Sequence, residues 1–252
     1  MNSRLANLFI LGYPKCGTTA LWEYLVQHPL IQPATLPNGK PVKEPYTLVE
    51  KIAMDRLLEC KVRSRDDCFY LYSQLFLPNK ATYRIDASPD YIYFPGIPKL
   101  LQTIDKGCKV IVCLRNPATY ILSLHKQWIR MGLDIPLGLE SNGRNISGIP
   151  FEWRTQYCNQ MKRIKEFIEP DRMLVVLHED FVRNTSQVLE EVFSFLALGL
   201  PELHKPKIQF KEVSIDVYDT YFDEAKEKFH KEVSGLENVL NMDLLEKWGI
   251  AS

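Results

Sequence analysis

The sequence has no excess charge of either sign. Its 31 lysines and arginines balance 31 aspartates and glutamates, for a formal net charge of zero. That excludes the basic surplus on which nucleic-acid and membrane-surface binders normally rely, so neither partner is expected. A local basic pocket for a small anion remains open. Long hydrophobic runs are missing as well. The most apolar stretches, Leu8–Leu11 and Val110–Leu114, are far shorter than the roughly 20 residues of a spanning helix. The opening Met1-Asn2-Ser3-Arg4 leads into a run that Asn7 interrupts, without the apolar core and small-residue cleavage site of a signal peptide. The expectation is a cytoplasmic protein. The cysteines at 16, 60, 68, 108, 113 and 158 contain no Cys-x-x-Cys and no Cys/His cluster with zinc spacing. No metal is expected, and reduced, mostly buried thiols are favoured over a Cys60–Cys68 disulfide.

What is there is an ordinary globular composition, 46% hydrophobic and 25% charged. With no internal repeat and no low-complexity linker, one domain over residues 1–252 is expected. Apolar, β-branched runs read as strands at Leu5–Leu11, Ala81–Ala87, Lys109–Leu114 and Met173–Leu177. Helical patterns cover about Leu48–Cys60, Asp67–Phe76, Trp153–Ile168 and Thr185–Leu196, follow Pro117 to about Met131, and resume from Tyr218. Strands alternating with helices predict an α/β fold: a single P-loop-like domain with a central, mostly parallel β-sheet flanked by helices. Pro33–Pro45 and the glycine-containing Asp134–Ile149 read as loops, the second a mobile one.

The first strand runs into Gly12-Tyr13-Pro14-Lys15-Cys16-Gly17-Thr18-Thr19, and a helix follows. Glycines spaced in this way let backbone approach a phosphate, and the amides that open the helix then point at the anion, assisted by the helix dipole. In nucleoside-triphosphate loops a lysine directly follows the second glycine. Here Thr18 holds that place and the lysine comes earlier, at Lys15. This argues against a P-loop nucleotide kinase, the main alternative from another enzyme class. A non-catalytic nucleotide-binding module is the third reading.

Pro14-Lys15-Cys16-Gly17-Thr18-Thr19 resembles the 5′-phosphosulfate loop of sulfotransferases that use PAPS (3′-phosphoadenosine 5′-phosphosulfate). A second motif has the same resemblance. Leu114-Arg115-Asn116-Pro117 follows the KVIVCL strand, with Ser123 eight residues beyond Arg115, and is similar to the family's 3′-phosphate site. Further similarity lies in Lys43-Glu44-Pro45, Ser88-Pro89-Asp90-Tyr91, Arg172–Phe181 and Leu240–Trp248. Ala20, where phenol and steroid enzymes carry tryptophan, places the chain nearer the bacterial and carbohydrate-type members. Three positions depart from the family: Tyr120 stands where many members have a second arginine, Ala87 where glycan-type enzymes have a lysine, and no Lys-Gly-Arg loop is evident near Lys205–Lys211.

The resemblance implies an in-line transfer of the sulfuryl group from PAPS to an acceptor hydroxyl or amine, releasing adenosine 3′,5′-bisphosphate (PAP). Lys15 would stabilise the bridging oxygen, and the loop at Cys16, Gly17, Thr18 and Thr19 would hold the 5′-phosphate. Arg115 and Ser123 would grip the 3′-phosphate, arginine supplying a bidentate, charge-assisted contact. Tyr157 is the candidate for adenine. Glu44 is the candidate general base, with His125 as the alternative. Charge neutrality favours a small-molecule acceptor such as a natural product, with a saccharide or glycan second. Tyr46, Tyr91, Tyr93 and Trp128 would either line the acceptor site or belong to the core. A monomer or homodimer is expected.

Overall fold

Five consecutive residues with no charge, Leu8–Gly12, form β1, and every one of them is buried. Such a run suits a strand with neighbours on both edges and cover on both faces. The computed structural model describes residues 5–49, 65–133, 137–138, 151–206 and 214–250. The helix expected at Leu48–Cys60, nearly all of the loop expected at Asp134–Ile149, and both Cys60 and the Cys68 side chain lie outside what is described.

Contacts group the chain into two units, Met1–Leu114 with Phe167–Lys207 and Arg115–Glu166 with Ile208–Ser252. The first unit holds the sheet. After β1 come α1 (Thr18–Leu25), β2 (Ile31–Thr35), β3 (Pro41–Val42), α2 (Arg65–Gln74), β4 (Tyr83–Asp86), α3 (Ile97–Ile104) and β5 (Lys109–Leu114). Then follow β6 (Met173–Leu177), α6 (His178–Arg183) and α7 (Thr185–Phe195), while α4 and α5 belong to the second unit. The strand order is β3-β2-β4-β1-β5-β6. All pairings are parallel except β2 with β3. The expected α/β fold with a mostly parallel sheet flanked by helices is therefore what the chain forms.

Within the first unit, Lys109–Leu114 and Met173–Leu177 adopt the strand bounds their apolar runs predict. The strand at Ala81–Ala87 is shorter, and the Pro33–Pro45 stretch is more structured than a loop. It carries the end of β2 and all of β3. Periodicity could not reveal them, because Pro33 lacks an N–H and β3 is only two residues long. β2 is held in place by its pairing with β4, in register Gln32 to Arg84.

The second unit is helical among its described residues: α4 (Pro117–Arg130), α5 (Tyr157–Phe167), α8 (Tyr221–Leu240) and α9 (Leu244–Lys247). A short 3-10 turn, Phe151–Thr155, precedes α5. Asn116 caps α4 by accepting the Ala118 amide at 2.9 Å, and Pro117 supplies the preset first turn. Tyr221, Ala225, Phe229, Val233 and Leu236 form the buried stripe of α8 at helical spacing. The Tyr221 hydroxyl donates to the Ala118 carbonyl at 3.0 Å. No helix among the described residues is long and apolar enough to cross a membrane.

Gly12 shows how tightly β1 fits. Its φ is +134°, and a β-carbon there would meet the Cys113 carbonyl oxygen of β5 at 2.2 Å. The two residues are register partners, so neither backbone can retreat. Gly12→Ala combines a forbidden backbone conformation with a clash against main chain. It should cost at least about 2 kcal/mol, lowering the thermal midpoint by more than about 4 °C. An unchanged midpoint in a thermal melt would refute this account of the glycine.

Candidate functional site

Parallel strands expose their carboxyl ends on one edge of the sheet, and open α/β folds bind ligands there. β1 ends in the loop Tyr13–Gly17, which bends back on itself. The Cys16 amide donates to the Tyr13 carbonyl at 3.2 Å, and Lys15 sits in the left-handed region with φ 71°. A lysine in this conformation is strained, and strain of this kind persists only where the surroundings impose it. Gly17, with φ 84° and ψ 4°, takes the N-cap position of α1 and has no side chain with which to cap it. The first amides of α1 and the positive end of its dipole are thus left for an anion. Gly17 is also crowded, since a β-carbon there would lie 3.2 Å from His178 Nδ1 and 3.3 Å from Phe181.

Sequence reasoning places Lys15, Cys16, Gly17, Thr18 and Thr19 in one loop and helix start, and the structure brings them together there. Cys16 and Thr18 are buried, and Thr19 is half-buried. Cys16 Sγ lies 3.9 Å from the Pro14 carbonyl. Cys16, Cys108, Cys113 and Cys158 are buried thiols outside any disulfide. Burial pushes the Cys113 thiol up to about 12 and Cys108 up to about 11, so both stay protonated.

The Lys43-Glu44-Pro45 segment belongs to the same unit. Lys43 Nζ donates to Thr18 Oγ1 at 3.2 Å and also forms an ion pair with the Glu44 carboxylate. Its side chain is only 13% exposed and that of Glu44 32%, so this is not a fully solvated loop pair. The Lys43 ammonium also acts electrostatically on Cys113, at the end of β5. Lys43 is thus a second cation at the α1 N-terminus, and sequence reasoning missed it as a site residue. Its contact with Thr18 depends on the Ala87 amide donating to the Lys43 carbonyl at 3.0 Å, a tertiary link with no sequence signal.

In the second unit, Arg115 directly follows β5. Its Nε donates to Thr119 Oγ1 at 3.0 Å, and that hydroxyl donates to the Asn116 carbonyl at 3.1 Å. Thr119 and Ser123 are four residues apart on α4 and share a helix face. Arg115, Thr119 and Ser123 therefore line up along one side of the helix start, each half-buried. Thr119 went unnoticed in the sequence, although its spacing from Arg115 and Ser123 was there to read. Tyr120, in the place of the family's second arginine, is fully buried.

The remaining candidates are core residues. Tyr157 is 1% exposed, and its ring meets that of Trp248 edge-on at 6.5 Å. His125 is buried against Trp128, and burial pushes its imidazole below the ordinary histidine range. Tyr46, Tyr91, Tyr93 and Trp128, left between acceptor wall and core, are all buried. No group of three or more metal-ligating side chains occurs among the described residues.

A family model described as the sulfotransferase domain matches residues 5–240. Among solved structures the chain is similar to a sulfotransferase from Alicyclobacillus acidocaldarius. That match has 22% identity and a TM-score of 0.73, over 96% of this chain and 98% of the other. It is also similar to the sulfotransferase domain from the curacin biosynthetic pathway, with 21% identity and a TM-score of 0.50 over 77% and 75% of the two chains. A sulfotransferase from Mycobacterium tuberculosis H37Rv is more distant, at 11% identity and a TM-score of 0.50 over 79% and 69%. These likenesses speak for the fold; the family model speaks for the family. No curated protein matches the chain.

Proposed function

Since the chain belongs to the sulfotransferase domain family, we propose that it transfers the sulfuryl group of PAPS to a hydroxyl or amine of a small-molecule acceptor. The observation that carries this reading is the α1 N-terminus. It has an N-cap glycine without a side chain, a lysine in the preceding turn, and a second lysine on Thr18. These groups fit the phosphosulfate end of the co-substrate. They do not reproduce the lysine after the second glycine that a magnesium–triphosphate loop uses.

In this reading the acceptor oxygen attacks sulfur while the bond between sulfur and the bridging oxygen breaks, and PAP departs. Lys15 stabilises the charge that develops on the bridging oxygen. Gly17, Thr18 and Thr19 hold the 5′-phosphate through backbone amides and hydroxyls, with Cys16 contributing loop backbone. Glu44 accepts the acceptor's proton. Lys43 orients the Glu44 carboxylate and adds positive charge beside Thr18. Most of the rate enhancement then comes from alignment and electrostatics, as in related phosphoryl transfers. Arg115 and Ser123 are assigned to the 3′-phosphate, with Thr119 fixing the guanidinium. Tyr157, beside Trp248 in the second unit, is assigned to adenine. The same reading takes residues 1–252 as one functional domain, requires no metal, and places the enzyme in the cytoplasm. A saccharide acceptor is the second choice; net neutrality favours a smaller, less anionic one.

Calorimetric titration tests the co-substrate. PAP should bind tightly without Mg²⁺ and ATP weakly, and a preference for Mg-ATP would overturn the assignment. Mass spectrometry of a panel of alcohols, phenols, sugars and amines incubated with PAPS then identifies the acceptor. Tight PAP binding with no sulfated product from any member of the panel would favour a non-catalytic nucleotide-binding module.

A further inference from the structure

Asp86, the last residue of β4, is completely buried, and a carboxylate in that setting needs strong compensation. Its partners are three hydroxyls and the Ser88 backbone amide. Ser88 Oγ donates to Oδ1 at 2.6 Å, Tyr72 OH to Oδ2 at 2.7 Å, and Tyr91 OH to Oδ2 at 3.2 Å. A hydroxyl has one proton to donate. With that proton committed to Asp86, the oxygens of Ser88 and Tyr91 turn their lone pairs outward. Each accepts a backbone amide there: Tyr46 N–H on Ser88 Oγ and Leu48 N–H on Tyr91 OH, both at 3.2 Å.

Those two amides lie just beyond Glu44-Pro45. Tyr46 itself is in the left-handed region at φ 55°, and its ring packs edge-on against Tyr91 at 5.8 Å. The chain therefore makes a strained turn immediately after Glu44, and both bridges that fix the turn trace back to one carboxylate. We infer that Asp86 is a positioning residue for Glu44, acting through Ser88 and Tyr91 on the backbone that presents the base. The inference rests on the reading of Glu44 as general base.

Titration supplies an independent signature. Burial pushes Asp86 up to about 6, against the lowering effect of its hydrogen bonds to Ser88, Tyr72 and Tyr91. The titratable groups facing it are Tyr72 and Tyr91. Burial and the Asp86 charge hold both phenols well above their ordinary range, so Asp86 is the member of the cluster that titrates. Its folded pKa lies above the unfolded value. Its contribution to stability is therefore fully present below about pH 4 and is lost as pH rises through about 6. Activity should run the other way, because only the ionised carboxylate orders the hydroxyl protons.

The test compares Asp86→Asn, Tyr91→Phe and Glu44→Gln with the parent enzyme, using PAPS and benzyl alcohol, a neutral hydroxyl. Asp86→Asn and Tyr91→Phe should lower kcat by about ten- to a hundred-fold while PAP affinity stays within about two-fold. Asp86→Asn should also flatten the dependence of thermal midpoint on pH between about 4 and 6. If either variant binds PAP normally and keeps kcat within about two-fold, Asp86 does not position the base. If both lose PAP binding in proportion to kcat, the role is general structure and the inference also fails. Normal turnover in Glu44→Gln overturns the reading of the base. An inactive Glu44→Gln beside normal Asp86→Asn and Tyr91→Phe overturns only the role of Asp86.

Discussion

Lys15→Ala is expected to remove nearly all sulfate transfer and to leave the protein folded. The leaving oxygen of PAP gains negative charge as its bond to sulfur breaks, and Lys15 is the cation in the loop that precedes the α1 amides. Groups that act on charge developing in a transition state contribute about 10²–10³ in kcat each, and that is the expected loss. Folding should be spared for a backbone reason. Lys15 already adopts φ 71°, and alanine there bears the same left-handed strain as lysine, so the substitution adds none. Circular dichroism and the thermal midpoint check the fold, while kcat with PAPS checks the chemistry. Near-normal turnover in a folded variant would refute the role. Lys15→Arg should recover only part of the loss, because a planar guanidinium does not replace a compact ammonium in a tight turn.

Glu44→Gln has the second large effect. Glutamine keeps the size of the side chain and loses its basicity, so PAP affinity should change little. Transfer to a neutral hydroxyl should fall by about 10²–10⁴. Lys43 makes this variant informative. In the parent its ammonium is shared between Glu44 and Thr18; in the variant the ion pair gives way to a weaker contact with a neutral amide oxygen. A modest gain in PAP affinity beside a large loss in kcat would fit that redistribution. The acceptor supplies a control, since an amine that is already unprotonated needs no base and should react nearly as well with the variant. If transfer to benzyl alcohol stays within a few-fold, Glu44 is not the base. His125 does not then become the natural substitute, being buried against Trp128 with its pKa pushed down.

What the sequence made legible is local. The anion loop reads directly because two glycines, a lysine and two threonines act within eight consecutive residues and need no distant partner to be recognised. β5 and β6 read to the residue because a buried parallel strand is a continuous apolar run. β2 and β3 stayed hidden because one contains a proline and the other is two residues long, and pairing rather than propensity forms them. Lys43 stayed half-hidden for the same kind of reason: its motif was visible, but its reach to Thr18 depends on Ala87 holding its carbonyl. Asp86 gave no signal at all. An aspartate at a strand end is ordinary in sequence, and only the convergence of Ser88, Tyr72 and Tyr91 marks it. Of the three borders between the two units, those at Leu114/Arg115 and Glu166/Phe167 coincide with no glycine- or proline-rich linker, so composition could not announce them; the third, Lys207/Ile208, follows a stretch that carries Gly199, Pro201 and Pro206.

The place of β1 in the sheet bears on how the protein assembles. β1 lies early in the chain, but its partners, β4 and β5, come from much later, in registers such as Leu8 to Ile85 and Gly12 to Cys113. Pairings so distant in sequence form late and slowly, because the intervening chain must be closed first. The anion loop hangs from the end of β1 and takes shape only once both edges of that strand are occupied. A ligand held by this loop therefore has nothing to bind in the unfolded chain and cannot act as a template for folding. It keeps finished molecules from opening, and its influence falls on the rate of unfolding.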